Sequence, residues 1–174
     1  WRIGHKIRSK IGKEKEKLNG KIEVDEALIG GAAKGKRGWG AENKTCVFGI
    51  MQREGEVRTT IVDNRHRNTL LPIIEENVLE GSTIYSDEFR VYNALNLHGY
   101  NHEKVIHSNY QWANGNCHTN SIEGYWSNLK KSILGTHTFV SRKWLQNYLN
   151  EFDFRHNHRK ENNVFEIMLI KILK

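Results

Sequence analysis

Lys21-Ile22-Glu23-Val24-Asp25-Glu26-Ala27-Leu28, then Thr45-Cys46-Val47-Phe48-Gly49-Ile50-Met51, then Val57-Arg58-Thr59-Thr60-Ile61-Val62: three strand-like runs follow one another before any helical pattern begins. In the first, taken as Ile22 to Ile29, apolar and polar residues roughly alternate, and Asp25 falls near the middle. Glu54-Gly55 supplies a hairpin turn between the second and third. A charge inside a largely apolar strand is expensive to bury unless it is paired or metal-bound. The plainer alternative for Asp25 is a strand-edge position facing solvent, or a structural salt bridge.

Working outward, Asn68 or Thr69 is placed to cap a helix running to about Leu79. Pro72, the only proline, then falls in its first turn, where a missing N–H costs little, and Gly81 ends it. Ser82-Thr83-Ile84-Tyr85-Ser86 is a fourth strand with Asp87 at its C-terminal end. Glu88 to Leu97 reads as a short helix closed by His98-Gly99, and Lys104-Val105-Ile106-His107 as a fifth strand. Ile122, Tyr125, Trp126, Leu129 and Ile133 recur at helical spacing between Thr119 and Leu134. A second stripe, Trp144, Leu145, Tyr148, Leu149 and Phe152, follows Ser141, and Phe165 to Leu173 suggests a C-terminal helix. This order predicts an α/β fold of the ribonuclease H-like type, a mixed five-stranded sheet flanked by helices. In that topology the first and fourth strands are neighbours, which brings Asp25 and Asp87 together. Sites in open α/β sheets gather at strand ends near a topological switch.

The chain has 174 residues, 37% apolar and 27% charged, enough for one domain with a real core. Its net charge of +7 suits a polyanionic partner. Residues 1–21 hold eight Lys/Arg against two Glu, so six of the seven net charges fall there. We divide the chain into a basic lead-in or linker, residues 1–20, and a domain, residues 21–174. The lead-in is either a solvated linker or an arm lying along nucleic acid, with Arg8 and Lys10 as its candidate contacts. Cys46 and Cys117 are too few for a disulfide framework and read as reduced thiols of an intracellular protein. No apolar run approaches the ~20 residues that span a bilayer, and no signal peptide is visible. A start at Trp1 rather than Met reads as a fragment with an upstream segment missing.

Asp25, Asp87 and Glu123 have the order and setting of a phosphoryl-transfer centre. Hard divalent cations prefer oxygen ligands, and paired metals favour an in-line displacement at phosphorus. Three carboxylates among 20 acidic residues are a weak signal alone, and Asp87 could equally cap the helix beginning at Glu88. Glu123 and Lys130 lie two turns apart on one helix face, a carboxylate and a cation placed to hold a phosphate; two ordinary exposed polar residues are the bland reading. Asn120 is one turn before Glu123, and His118 is a possible neighbour of the site. The nine histidines show no zinc spacing. Arg155, Arg159 and Lys160, in the tract Phe154-Arg155-His156-Asn157-His158-Arg159-Lys160, either touch phosphates or end a helix in solvent. Trp39, in the long Gly30–Lys44 loop, and Trp112, in the Ser108–Asn116 loop, either stack on bases or pack those loops.

Val24-Asp25-Glu26, Tyr85-Ser86-Asp87-Glu88 and especially His118-Thr119-Asn120-Ser121-Ile122-Glu123-Gly124-Tyr125-Trp126-Ser127-Asn128-Leu129-Lys130 resemble the DDE transposases of the Merlin and related bacterial insertion-sequence group. Tyr148 to Arg159 is similar to that family's closing segment, and the resemblance spans roughly residues 20–170. It implies that Asp25, Asp87 and Glu123 are the catalytic, metal-binding carboxylates, holding two Mg²⁺ or Mn²⁺ ions. The 35 residues between Asp87 and Glu123 agree with the family pattern. Some bacterial members use an asparagine as third ligand, which would point to Asn120. The implied activity is metal-dependent DNA cleavage at transposon ends followed by strand transfer. The implied partners are terminal inverted repeats, target DNA and further copies of the chain assembled on DNA, with no membrane. The place of action is the bacterial cytoplasm or nucleoid, or a eukaryotic nucleus. The family usually carries a zinc-ribbon or helix-turn-helix DNA reader ahead of this core, and nothing in the chain resembles one. The alternatives are a metal-dependent nuclease without joining activity, a domesticated non-catalytic DNA-binding derivative, and a structural piece of a larger assembly.

Overall fold

Alternation along β1 (Lys21–Gly30) builds two cores, one on each side of the sheet. The computed structural model describes residues 2–11, 16–30, 44–105 and 118–173. Ile22 and Val24 face one way, packing with Phe48, Ile50, Leu70 and Ile74. Ala27 and Ile29 face the other, packing with Val47, Met51, Ile122, Trp126, Leu129 and Leu145. The remaining strands are β2 (Lys44–Gln52), β3 (Val57–Val62), β4 (Thr83–Ser86) and β5 (Asn101–Lys104). The helices are α1 (Arg2–Lys10), α2 (Arg67–Asn77), α3 (Asn120–His137), α4 (Arg142–Asn157) and α5 (Val164–Leu173). Leu70 and Ile74 place α2 on the first face; the stripes of α3 and α4 place them on the second.

The sheet order is β3-β2-β1-β4-β5. β1 and β2, and β2 and β3, are antiparallel; β1 and β4, and β4 and β5, are parallel. This is the mixed five-stranded, ribonuclease H-like sheet that the element order predicted. Glu23 is opposite Tyr85 at the end of the parallel pair, and Asp25 and Asp87 follow those two residues at the same distance along the chain.

Several elements differ from the expected ones. β5 occupies Asn101–Lys104, not Lys104–His107. It is a mostly exposed edge strand with a polar sequence, so it lacks the alternation that marks a half-buried one. The segment after Asp87 is a 3₁₀ helix, Arg90–His98, ended by Gly99 at φ 81°, where glycine is favoured. α2 starts at Arg67 behind His66, and no side chain caps it. Instead the Asn64 side-chain oxygen accepts from the His66 N–H at 3.0 Å and the Thr69 hydroxyl at 2.6 Å. Pro72 is therefore inside α2, beyond the first turn, and cannot donate to the carbonyl of Asn68. The Gly30–Lys44 loop with Trp39 lies outside the described residues apart from its two ends, as does the whole of the loop carrying Tyr110 and Trp112.

The lead-in is joined to the body through buried residues. His5 of α1 sits 4.6 Å from the Trp144 ring and 5.6 Å from the Tyr148 ring. Ile11 and Leu18 are almost fully buried, and Leu18 pairs with the chain at Asn77 and Leu79 through two 2.8 Å backbone bonds. α4 also completes the outer edge of β3. Asn157 bonds both the N–H and the carbonyl of Val57, at 2.8 and 3.0 Å. Asp153 accepts from the Thr59 N–H at 2.8 Å. Gln146 accepts from the Ile61 N–H at 2.9 Å and donates to the Thr59 carbonyl at 3.0 Å.

Gly49 lies opposite Asp25 in β2, and an added Cβ there would come within 2.5 Å of the Trp126 ring. Gly49→Ala should therefore lower stability by about 1–3 kcal/mol through overpacking. Gly124→Ala, whose Cβ meets nothing within 4 Å on α3, should raise it by about 0.5–1 kcal/mol. Chemical denaturation of both variants checks the pair; equal behaviour would contradict the packing of α3 on β2.

Candidate active site

Asp25, Asp87 and Glu123 come from three elements, β1, the end of β4 and α3, and Asp87 and Glu123 both lie close enough to act on the charge of Asp25. Asp25 projects from β1 on the face covered by α3. Its Oδ2 accepts a 3.1 Å hydrogen bond from the Trp126 indole N–H. Burial, together with the negative charges of Asp87 and Glu123, pushes the Asp25 carboxyl up to about 6, against the hydrogen bonds from Glu26 and Trp126. The three carboxylates thus share one electrostatic environment. Asp87 follows β4 and its Oδ1 accepts the Phe89 N–H at 3.0 Å, so it does cap the turn entering the 3₁₀ segment. The buried Ser86 hydroxyl donates to the Asp87 carbonyl at 2.9 Å and lies 2.8 Å from His102 Nε2. Burial drives His102 down to about 4, so the ring is neutral at pH 7. Glu123 is exposed in the first turn of α3 and accepts from the Thr119 hydroxyl at 2.9 Å.

None of the three carboxylates has an ion-pair partner among the described residues. Nor do any three Asp, Glu, His or Cys side chains there converge closely enough to hold a cation as they stand. Asp87 and Glu123 each accept one bond from a protein donor, and Asp25 accepts from the Trp126 indole and the Glu26 backbone. An all-oxygen donor set with uncompensated negative charge suits a hard dication.

Two acidic neighbours were not singled out from the sequence. Glu26 points to the opposite face of β1, where the buried Tyr92 hydroxyl donates to it and Arg65 lies 4.0 Å away. Burial, with Asp87 and Asp25 adding, pushes Glu26 up to about 7. Glu23 has no solvent exposure and shares the face of Asp25. Its Oε2 accepts the backbone N–H groups of Ser121 and Ile122, each at 3.0 Å. Its Oε1 accepts from Arg53 Nε at 2.8 Å and the Ser121 hydroxyl at 3.0 Å. The one available signal was its two-residue spacing from Asp25, which puts both on one strand face.

The other expected residues are dispersed. His118 neighbours Glu23 rather than Glu123, with Nδ1 3.5 Å from the Glu23 carboxylate. Asn120 opens α3 and is exposed, as is Lys130 further along that helix. Arg8 pairs with Glu151 and stacks over the Tyr148 ring at 4.2 Å. Lys10 is exposed at the end of α1. Arg155 lies 3.6 Å from the same Glu151. Arg159 donates to the carbonyls of His156 and Gly55 at 2.7 and 3.2 Å, and Lys160 is exposed beside it. Apart from Lys130 on α3, these cations collect on α1, on α4 and just past the end of α4. Two strands separate β3 from β4, a span of about 14 Å at ordinary strand spacing. Cys46 is a free, half-buried thiol pushed up to about 11, hence unreactive at neutral pH. No helix among the described residues is long and apolar enough to cross a membrane.

Sheet order and helix placement together are those of a ribonuclease H-like transposase domain. Residues 17–157 match the ISXO2-like transposase domain, and the chain belongs to that family. It is 31% identical over 113 residues to an uncharacterized transposase-like protein of Haemophilus influenzae, covering 65% of this chain and 90% of that one. It is 28% identical over 155 residues to an uncharacterized protein in transposable element ISH50 of Halobacterium salinarum, covering 79% of this chain. The match covers 52% of that relative, so the chain spans about half its length.

The raised Asp25 carboxyl gives a signed expectation. The native state keeps a proton that the unfolded chain has released, so this group lowers stability as pH rises from about 4 through 6. His102 and His156, both driven down to about 4, act in the opposite direction over an overlapping range. The difference between wild type and Asp25→Asn therefore cancels the histidines and reports Asp25 together with its coupling to Glu26. In the absence of divalent cations the variant should be the more stable at pH 7–8, with its advantage shrinking toward pH 4. Denaturant midpoints across that range measure it; a gap independent of pH would remove the buried charge from the account.

Proposed function

We propose that this chain is the catalytic core of a DDE transposase, cutting DNA at the ends of an insertion sequence and joining them to target DNA. The observation that carries the reading is a carboxylate group at the β1–β4 junction with no ion-pair partner among the described residues, in which Asp25 is raised by burial and then by the charges of Asp87 and Glu123. Membership of the transposase family supports it. The close likeness to the Merlin group rests on the His118–Lys130 block and belongs to the same proposal.

Asp25, Asp87 and Glu123 would hold two Mg²⁺ or Mn²⁺ ions, which supply activation of an attacking oxygen and stabilisation of a leaving one. Trp126 orients Asp25 by its indole N–H, and Thr119 orients Glu123 by its hydroxyl. Ser86 and the Phe89 N–H fix the backbone and side chain of Asp87. Lys130, on the exposed side of α3, would contact a phosphate near the scissile bond. We assign the third ligand to Glu123 over Asn120, because a carboxylate binds a hard dication more strongly than a neutral amide. The cations of α1 and α4 would bind DNA flanking the site, and the action would then be where DNA is kept, in the cytoplasm, nucleoid or nucleus.

Labelled element ends, Mg²⁺ and a plasmid target test the reading. Wild type should cleave and join. Asp25→Asn, Asp87→Asn and Glu123→Gln should each abolish both steps while leaving DNA binding nearly intact. Cleavage without joining would make the chain a nuclease; DNA binding without cleavage would make it a domesticated derivative. Normal cleavage by Glu123→Gln with none by Asn120→Ala would move the third ligand to Asn120.

DNA affinity has a separate signature. Deleting residues 1–20 would strip Ile11 and Leu18 from the core, so the charges must be removed singly. Lys6 and Lys10 are exposed on α1. Lys6→Gln with Lys10→Gln should weaken binding to all sequences alike and make the slope of log K against log salt shallower by about 2. An unchanged slope would exclude α1 from the DNA-binding surface.

A further inference from the structure

Thr119 occupies the N-cap position of α3, yet its side chain makes no capping bond; its hydroxyl turns to Glu123 instead. A helix start leaves backbone N–H groups without partners inside the helix. Here the partner comes from the sheet. Glu23 of β1 takes the N–H groups of Ser121 and Ile122, the two residues immediately before Glu123. Arg53 holds Glu23 from the far side, donates to the His118 carbonyl at 2.7 Å, and stacks on the Tyr85 ring at 4.0 Å. The strand that carries Asp25 therefore also grips the helix that carries Glu123.

Resting on the transposase reading above, we propose that Glu23 is a positioning residue for nucleotidyl transfer. Its carboxylate fixes the start of α3 on β1, and so sets Glu123 against Asp25, two residues further along the same strand face. Capping from β1 also releases the Thr119 hydroxyl to orient Glu123. A merely structural ion pair with Arg53 would support folding and nothing else.

The full chain serves for the test, in wild type, Glu23→Gln, Ser121→Ala and Glu123→Gln. Mn²⁺ binding is read by electron paramagnetic resonance of the free ion, folding by near-ultraviolet circular dichroism, and end cleavage by initial rates at several Mn²⁺ concentrations. Groups that orient a ligand typically govern affinity or activity by about 10–100-fold. Glu23→Gln should raise the half-saturating Mn²⁺ concentration and lower kcat within that range, leave KM for DNA unchanged, and recover part of its rate at high Mn²⁺. Ser121→Ala, which loses one hydroxyl bond to Glu23, should show the same shift on a smaller scale and serves if Glu23→Gln does not fold. Variants that are less stable yet bind Mn²⁺ and cleave as wild type does would overturn the proposal. So would Ser121→Ala with wild-type Mn²⁺ dependence, should Glu23→Gln fail to fold. A wild-type chain that neither binds Mn²⁺ nor cleaves would instead strike the transposase reading itself.

Discussion

A carboxylate with no access to water persists only when donors surround it, and Glu23 has four within 3.0 Å. Its Arg53 partner is itself largely buried, with 13% of its side chain exposed. Removing one member of such a pair costs about 3–5 kcal/mol, because the other stays buried and uncompensated. The geometry of the first turn of α3 is fixed by this contact. A second contact, the Trp126 indole on Asp25, fixes the helix one turn later, in the space that Gly49 leaves open. Three residues of one strand and its neighbour thereby set how α3 lies on the sheet.

Among the described residues, two regions of opposite charge stand apart. Around the β1–β4 junction, Asp25, Glu26 and Asp87 act on one another, with Glu123 adding to Asp25. Asp25 and Glu26 leave β1 on opposite faces, so the repulsion crosses the sheet. Protein donors bond to each of these groups, and Arg65 partly offsets the charge of Glu26. On α1 and α4 the cations are more often internally engaged: Arg8 and Arg155 share Glu151, and Arg159 closes the end of α4. Lys10, Lys130 and Lys160 keep the exposure that a polyanion would need.

Strong periodicity was legible in the sequence. The apolar stripes of α3 and α4, the alternation of β1 and the limits of β3 read directly, and the sheet order followed from the order of the elements. β5 was misplaced because an exposed edge strand buries too little to leave an apolar pattern. α2 was displaced because its start is stabilised by Asn64, outside the helix, rather than by a residue of N-cap type at the boundary. The anchoring of the lead-in was not legible, because its charge run hid Ile11 and Leu18, two isolated apolar residues that are buried against the body. At the site, Asp25 and Asp87 could be paired from topology alone. Glu23 could not be weighed, since its partners come from Arg53 and Ser121, 30 and 98 residues away.

Gln146, Asn150, Asp153 and Asn157 follow a spacing of four, three and four residues, a single stripe along α4. Three of them occupy β3 groups that a neighbouring strand would otherwise take. An open edge of this kind is a template for strand addition by another chain, the common first step of domain swapping and amyloid growth. α4 closes that route on the β3 side without lengthening the sheet. Copies of this domain meeting there must do so through helix surfaces, where side-chain chemistry rather than backbone pairing selects the partner.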